Sequence, residues 1–383
     1  MVFLYVKKGV LLSRSSSIRE KRIKNILWIL CKKILLLIVF LFILSVMVFL
    51  LSRFSPGDPL HAFFGDTVDR MTESQKAAAT KQLALDQPLF RQYTTWLTNF
   101  FHGDLGISYQ YKQPVSAVIG NLWLNTLLLG GLSYLLMFLF AILLGVFCAK
   151  YQGGVFDTII RKVGTVTNTI PSFFVALIFI LIFAVNLSIL PMGGAYSLGG
   201  SGELGDRLKH LILPVSVMVL SHLWYYAYII RNKMIEELFM DYVSLLKVKG
   251  VSRFNIVWKH CFRNALPSLI SIMAISVPHI IGGTYIVEMV FSYPGLGKLS
   301  FESAVYHDYN MLSALCLITG AVVLIFNMLG EEISQIIDPR MKERSRTGII
   351  DYRENDKDSG IADENNNHEH NNHENHKDGG KYA

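Results

Sequence analysis

The sequence predicts an all-α polytopic membrane protein with six transmembrane helices and a small extracytoplasmic insertion after the first. Three observations carry this expectation. The 383 residues are 52% apolar and 17% charged, against about 25% charged in ordinary soluble domains. The apolar residues fall in blocks, and crossing a bilayer needs about 20 of them in a row. The basic residues gather beside those blocks: nine Lys/Arg and one acid, Glu20, precede Ile34. That is a positive-inside flank. It accounts for the net charge of +7 without invoking nucleic acid.

The elements follow in order. Residues 1–33 form a cytoplasmic N-terminal segment. The first apolar block, Ile34–Ser52, is too long for a signal h-region and has no Ala-x-Ala site after it, so it stays as transmembrane helix 1. The remaining spans are Leu122–Ala149, Val163–Ile189, Leu211–Ile230, Ser268–Phe291 and Met311–Ile337. Lys150, Arg161 and Lys162 against Asp157 follow span 2, and seven Lys/Arg against three acids follow span 4. With alternating topology every biased segment lands on one face, so helix count and orientation support each other. Pro171, Pro214 and Pro278 interrupt spans. Such Pro is a static kink or a bend beside a path.

Residues 53–120 differ. They hold six basic and six acidic residues and read as a small extracytoplasmic domain. Thr72 is a candidate N-cap for the helix-forming run TESQKAAATKQLAL. Residues 121–337 form the transmembrane core. The tail, 338–383, is rich in Asn and His, lacks apolar periodicity and is expected to be disordered. Cys31, Cys148, Cys261 and Cys316 are scattered with no Cys-x-x-Cys, so neither a disulfide framework nor a cysteine metal site is indicated.

The cytoplasmic loop 233–267 is the most informative. Lys233–Gly250 reads as helix, Gly250 suits a left-handed helix end, and Ser252 can cap a short helix running from Arg253 toward Leu266. Pro267 then marks the entry to span 5. The apolar residues of this loop need a cover, and a partner protein with a groove is the natural one. Tyr242, Val243, Lys249, Gly250, His260, Arg263, Asn264 and Ala265 stand in a register that resembles the ABC importer permeases of the peptide/nickel class. Ser244-Leu245-Leu246 departs from the Glu-Ala-Ala favoured there, with Asp241 the nearest acid. SPGDP at Ser55, LDQPLFRQYTTWL at Leu85, GDLGIS at Gly103, Pro114-Val115, FSYPGLGKL at Phe291 and DPR at Asp338 resemble further landmarks of that family. The resemblance covers roughly Lys24 to Lys342.

The resemblance implies the type I importer permease architecture in the bacterial plasma membrane, with Asp241, Tyr242, Lys249, Gly250, His260, Arg263 and Asn264 docking on an ATP-binding subunit. It also implies partners: a second, similar permease, two ATP-binding subunits, an extracytoplasmic binding protein and membrane lipid. ATP would be bound by partner subunits, no cofactor by this chain, and the chain would be no enzyme. Nickel or a metal chelate is the first choice of substrate, and a di- or oligopeptide the second.

Rival readings are weaker. GLGKLS at Gly295 mimics part of a phosphate loop, but Ser292 stands where Gly is needed and Leu299 where Ser/Thr must meet magnesium. A turn entering a surface helix is the plainer reading. An ion-coupled transporter would place charges inside its spans, and the span cores hold almost none. Glu288 lies toward the outer end of span 5, where a satisfied helix-end carboxylate and a path-lining residue compete. Glu331 and Glu332 lie toward the inner end of span 6. His222 and His279 are packing residues or stations on the path. His368, His370, His373 and His376 in the tail, with Glu369 and Glu374 between, form a loose site for nickel or zinc or merely a biased tail.

Overall fold

The computed structural model describes residue 28 and residues 31–54, 59–82, 84–167, 169–197, 199 and 203–337. The segment 1–27, most of the Ser55–Pro59 motif, the DPR motif at Asp338 and the tail with its four His residues lie outside the described residues. Regular structure among the described residues is helical, with one isolated β-bridge between Ile107 and Pro114.

Helix α1 is Cys31–Phe54. The region after it holds α2 (Pro59–Phe64), a 3₁₀ segment (Gly65–Arg70), α3 (Glu73–Gln82) and α4 (Leu89–Phe101). The core follows as α5 (Val115–Lys150), α6 (Val155–Thr167), α7 (Ser172–Phe179, continued by a π-helical Ile180–Asn186) and α8 (Leu204–Leu238). Next come α9 (Asp241–Val248), α10 (Arg253–Asn255), a π-helical Ile256–Cys261, α11 (Phe262–Val290), α12 (Leu296–Val305) and α13 (Tyr309–Ile337).

Among the described residues five helices are long and apolar enough to cross a membrane: Cys31–Phe54, Val115–Lys150, Leu204–Leu238, Arg253–Val290 and Tyr309–Ser334. The sixth is shorter. The expected span Val163–Ile189 is broken, because α6 ends at Thr167 and the apolar helix Ser172–Asn186 starts afresh. Pro171, at ψ 136°, explains the break: it has no amide hydrogen and disfavours helical backbone in the residue before it.

Two further differences concern the 233–267 loop. Lys233–Gly250 is two helices rather than one, divided at Met240, whose ψ of 147° takes the chain out of helix. The helix beginning at Arg253 does not stop near Leu266; it runs 38 residues to Val290 with Pro267 and Pro278 inside it. Proline is tolerated within membrane helices when neighbouring groups re-satisfy the backbone.

The core is a bundle in which α8 pairs most extensively with α5, and α11 with α13. Small residues set the closest approach. A Cβ on Gly145 of α5 would lie 2.8–2.9 Å from Ile230 and the Ala227 carbonyl of α8, so glycine there lets the two backbones meet. Leu129, Met137, Phe138, Met218, Ile230 and Met234 fill the space between helices. Leu124, Leu127, Leu135 and Leu139 of α5 point outward, as lipid-facing residues do.

Helix α1 lies at the periphery. Lys33 Nζ pairs with Glu331 Oε2 (3.2 Å) and Glu332 Oε1 (2.8 Å) on α13. In the following region Thr72 caps α3 as expected. Its Oγ1 accepts from Gln75 N–H (3.4 Å) while Gln75 Oε1 accepts from Thr72 N–H (2.9 Å), which is a capping box. Residues 106–114 dock on the corner between α12 and α13. There the buried Asp308 accepts from Ser108 Oγ and from the amides of Gln110 and Met311 (3.2 Å each).

Candidate functional site

Helix α9 and the turns on either side of it are built by short-range chemistry. Lys249 closes α9, and Gly250 takes φ +73°. Gly250 N–H donates to Lys247 O (3.0 Å) and Val251 N–H to Leu246 O (3.1 Å). This is a Schellman stop, with Leu246 and Val251 both packed on the core, and it needs a residue that accepts left-handed backbone. Ser252 then caps the next helix by accepting from Asn255 N–H at 3.4 Å.

The structure brings several predicted residues together. The Tyr242 hydroxyl donates to Glu237 Oε2 (2.8 Å) and sits beside Cys261 and Asn264. One side chain thereby ties α9 to the end of α8 and to the start of the long helix behind it. Burial, with Cys261 and Glu237 beside it, pushes the Tyr242 phenol's pKa up. Val243 is fully buried and anchors α9 from the same side. Asp241 opens α9, exposed at its N-terminus, while Lys249 is exposed at its C-terminus. Both signs suit the helix dipole. His260 is half-buried in the π-helical stretch, and Arg263 is exposed one turn further. Leu245 and Val248 on α9, with Phe239 and Phe254 nearby, face outward at 57%, 86%, 76% and 58% exposure. A monomer leaves this apolar surface uncovered.

The support beneath this corner is absent from the sequence-based set. Arg231 Nε and Nη2 donate to Asp157 Oδ1 (2.5 Å) and Oδ2 (2.8 Å), and Gly153 N–H donates to Oδ2 (3.0 Å). Asp157 is fully buried. The Arg231 guanidinium holds its carboxyl below the usual carboxylate range. The pair locks α6 to α8 about two turns before α8 ends. Arg253 Nη2 adds a bond to Lys150 O (2.6 Å) at the end of α5. The available signal was Asp157 itself, a single acid among Lys150, Arg161 and Lys162.

At the other end of α11, Glu288 is fully buried. Its Oε2 accepts from Gly297 N–H (2.7 Å) and Lys298 N–H (3.2 Å) in the first turn of α12. Thr126, whose Oγ1 accepts from Leu296 N–H (2.8 Å), stands beside it. The glycines of GLGKLS serve this contact. A Cβ on Gly295 would overlap the Glu288 carboxylate, and one on Gly297 would lie 2.6 Å from Tyr285 Cα. The motif closes a loop over a carboxylate rather than around a phosphate. Arg207 was not anticipated; its Nη2 donates to Asn125 Oδ1 (2.9 Å) near the same end.

His222 of α8 lies against α11, where a Cβ on Gly283 would come within 3.2 Å of its ring. His222 Nδ1 is occupied by Met218 O (3.0 Å). Neither His222 nor His279 is among the hydrogen-bond partners of Glu288, so the three candidate path residues are not joined into one bonded site. Among the described residues no three His, Cys, Asp or Glu side chains are grouped to hold a metal ion.

Residues 141–343 match the family described as binding-protein-dependent transport system inner membrane component, and residues 26–129 match its N-terminal membrane component. The chain belongs to this family. It is 32% identical to the oligopeptide transport system permease protein AppB of Bacillus subtilis (strain 168), over 78% of this chain and 94% of that one. It is 33% identical to the metal-staphylopine import system permease protein CntB of Staphylococcus aureus (strain NCTC 8325 / PS 47), over 82% and 98% respectively. A chain of the MetNI methionine ABC transporter, solved in inward-facing conformations, aligns at 16% identity over 58% of this chain and 96% of its own, with a TM-score of 0.47. The protein is a multi-pass permease of the cell membrane and part of an ABC importer. The family's work is transport, carried out with ATP-binding and substrate-binding proteins.

Proposed function

We propose that this permease forms half of the path for a metal held by a small chelator, with nickel the first ion to test. One observation carries the substrate reading: similarity to a metal-staphylopine permease extends over 98% of that protein at 33% identity. A second reading, di- or oligopeptides, is favoured by the similarity to an oligopeptide permease at 32%. The two are chemically adjacent, since a chelator bearing amines and carboxylates resembles a short peptide in size and donor groups. Uptake of labelled nickel, free or with added chelators, by cells with and without this permease tests the choice. Chelate uptake that is lost on deletion and unaffected by excess peptide supports the metal reading. Peptide uptake lost on deletion, with nickel unaffected, replaces it.

The assembly that fits is two permeases, two ATP-binding subunits and an extracytoplasmic binding protein. The exposed apolar side of α9 docks on an ATP-binding subunit, with Asp241, Lys249, His260 and Arg263 around it. ATP-driven closure there pushes α9, and the Tyr242 and Asp157–Arg231 contacts pass the push to α8 and α11. These would rock to swap access between the two sides. His222 and His279 are the first places to look along the path. In this arrangement both termini and Gly250 are cytoplasmic, and residues 53–120 lie on the opposite side. In a background without native Cys, Gln75→Cys should react with an impermeant reagent added outside, and Ser252→Cys should not. The opposite pattern inverts the topology. His368, His370, His373 and His376 then meet the ion only after translocation. They would hold it weakly, and less so below about pH 6.5, where imidazole protonates.

A further inference from the structure

Helix α4 belongs to the region expected to stand clear of the bilayer, yet its contacts place it elsewhere. Ser45 Oγ donates to the Phe42 carbonyl (2.8 Å), so the 2.8 Å pair between Ser45 and Tyr93 has the Tyr93 hydroxyl as donor. The Tyr93 ring also meets Phe42 and Phe49 edge-on, with centroids 6.4 and 5.3 Å apart, and Trp96 lies 6.0 Å from Phe49. Ser45 is nine residues before the end of α1 at Phe54 and Phe49 is five. At 1.5 Å per residue these contacts reach roughly 13 and 7 Å down the membrane helix. A domain resting above the bilayer does not reach that depth.

The residues of α4 fit the position. In LFRQYTTWLTNFF, Leu89, Phe90, Tyr93, Trp96, Leu97, Phe100 and Phe101 share one side at 3.6 residues per turn. Arg91, Thr94, Thr95, Thr98 and Asn99 take the other, and Arg91 is the helix's only charge. Tyr93 and Trp96 spend part of the apolar side on α1. The remainder is open: Phe90 and Phe101 are each 79% exposed, flanking the half-buried Leu97. Helix α1 likewise turns apolar residues outward, at Met47, Leu50 and Leu51.

We propose that α4 lies in the interfacial zone of the bilayer, with the Phe90–Leu97–Phe101 stripe buried in lipid and the Arg91–Thr95–Asn99 side toward water. Amphipathic helices at that boundary sink about 5–10 Å, which matches the Phe49 contacts, with the Tyr93 side chain reaching further down to Ser45 and Phe42; Tyr and Trp are at home there. The proposal rests on α1 crossing the membrane and is independent of the substrate and of which side α4 occupies.

The test uses the assembled transporter, free of native Cys, in phosphatidylethanolamine–phosphatidylglycerol vesicles. Nitroxide labels on Phe90→Cys, Phe101→Cys and Thr95→Cys are read for collision with oxygen, which concentrates in lipid, and with a water-soluble nickel chelate. The oxygen-to-chelate ratio should be about threefold or more higher at 90 and 101 than at 95, as one-sided insertion requires. Equal ratios at all three positions overturn the proposal. Shielding of 90 and 101 from both reagents also overturns it, because a protein partner then covers the stripe. If a labelled variant fails to assemble, quenching of native fluorescence by brominated lipid supplies the same reading. Trp96→Phe should reduce the quenched fraction, and no reduction counts against the proposal.

Discussion

The long helix that starts at Arg253 ends in two contrasting ways. At its Gly250 end, hydrogen bonds are satisfied locally while apolar side chains point outward: Leu245, Val248 and Phe254 are all more than half exposed. At its Glu288 end the pattern inverts, with Glu288, Tyr293, Leu299 and Asp308 all essentially buried. Polar groups are costly to bury unless paired, and here Glu288 Oε2 and Asp308 both accept from backbone amides, so the second end is closed by its own hydrogen bonds. The first end is a finished backbone with an unfinished surface. One is closed on itself, and the other leaves apolar side chains open, which the proposed docking of an ATP-binding subunit would cover.

The sharpest way to break this contrast is at the support of the open end. Arg231→Ala should destabilise the permease by about 3–5 kcal/mol, the usual result of stranding one member of a buried pair. Asp157→Ala should do the same, and the double substitution should cost much less than the sum. Thermal unfolding of the purified protein measures all three; strict additivity would show that the pair is not one unit. The pH dependence has a definite sign. Because the folded-state pKa of Asp157 lies below its unfolded value of about 3.9, its contribution is fully present above that value. It is lost as pH falls through the depressed folded value. Asp157→Asn should remove that acid-side loss from the unfolding curve.

At the closed end, Glu288→Ala leaves two amides of α12 without an acceptor and should cost about 1–3 kcal/mol. Glu288→Gln keeps an acceptor and should cost less. Equal losses would mean that charge, not capping, holds α12. Next in size is Gly250→Val, which forces left-handed backbone on a β-branched residue at a cost of roughly 1–2 kcal/mol. No atom lies within 4 Å of an added Cβ at Gly250, so the penalty is conformational and falls on the aim of α9. Reconstituted complex should retain ATP hydrolysis and lose transport, while Gly250→Asn, which tolerates this backbone, loses less. Unchanged coupling in Gly250→Val would remove the turn from the mechanism. The smallest effect expected is Ser252→Ala, about 0.5–1 kcal/mol for a lost cap, read as a modest drop in unfolding temperature.

What was legible in the sequence was what short-range rules govern. The Gly250 stop, the Ser252 cap and the Thr72 cap each depend on a few adjacent residues, and each stands where the pattern put it. Hydropathy located the spans for a related reason, since solvation by lipid acts on every residue of a helix. Pro171 misled the third span because a 27-residue apolar stretch outweighs one breaker in an average. Pro267 misled in the other direction: read as a stop, it lies inside a continuous helix. Asp157–Arg231 was hidden because its members stand 74 residues apart and each alone looks like a surface charge. The depth of α4 was hidden likewise, since only Ser45, Phe49 and Tyr93 together reveal it.

The Lys33 contact with Glu331 and Glu332 has a consequence for biosynthesis. These residues are separated by 298 positions. At about 5–20 residues per second of chain growth, α1 waits roughly 15–60 s in the membrane before its partner on α13 is made. Through that interval its basic end lacks these two acids, and the aromatic contacts with α4 are the earliest tertiary hold available to it. A ribosome that stops before α13 therefore releases a chain whose first helix is held by α4 alone, a natural handle for membrane quality control.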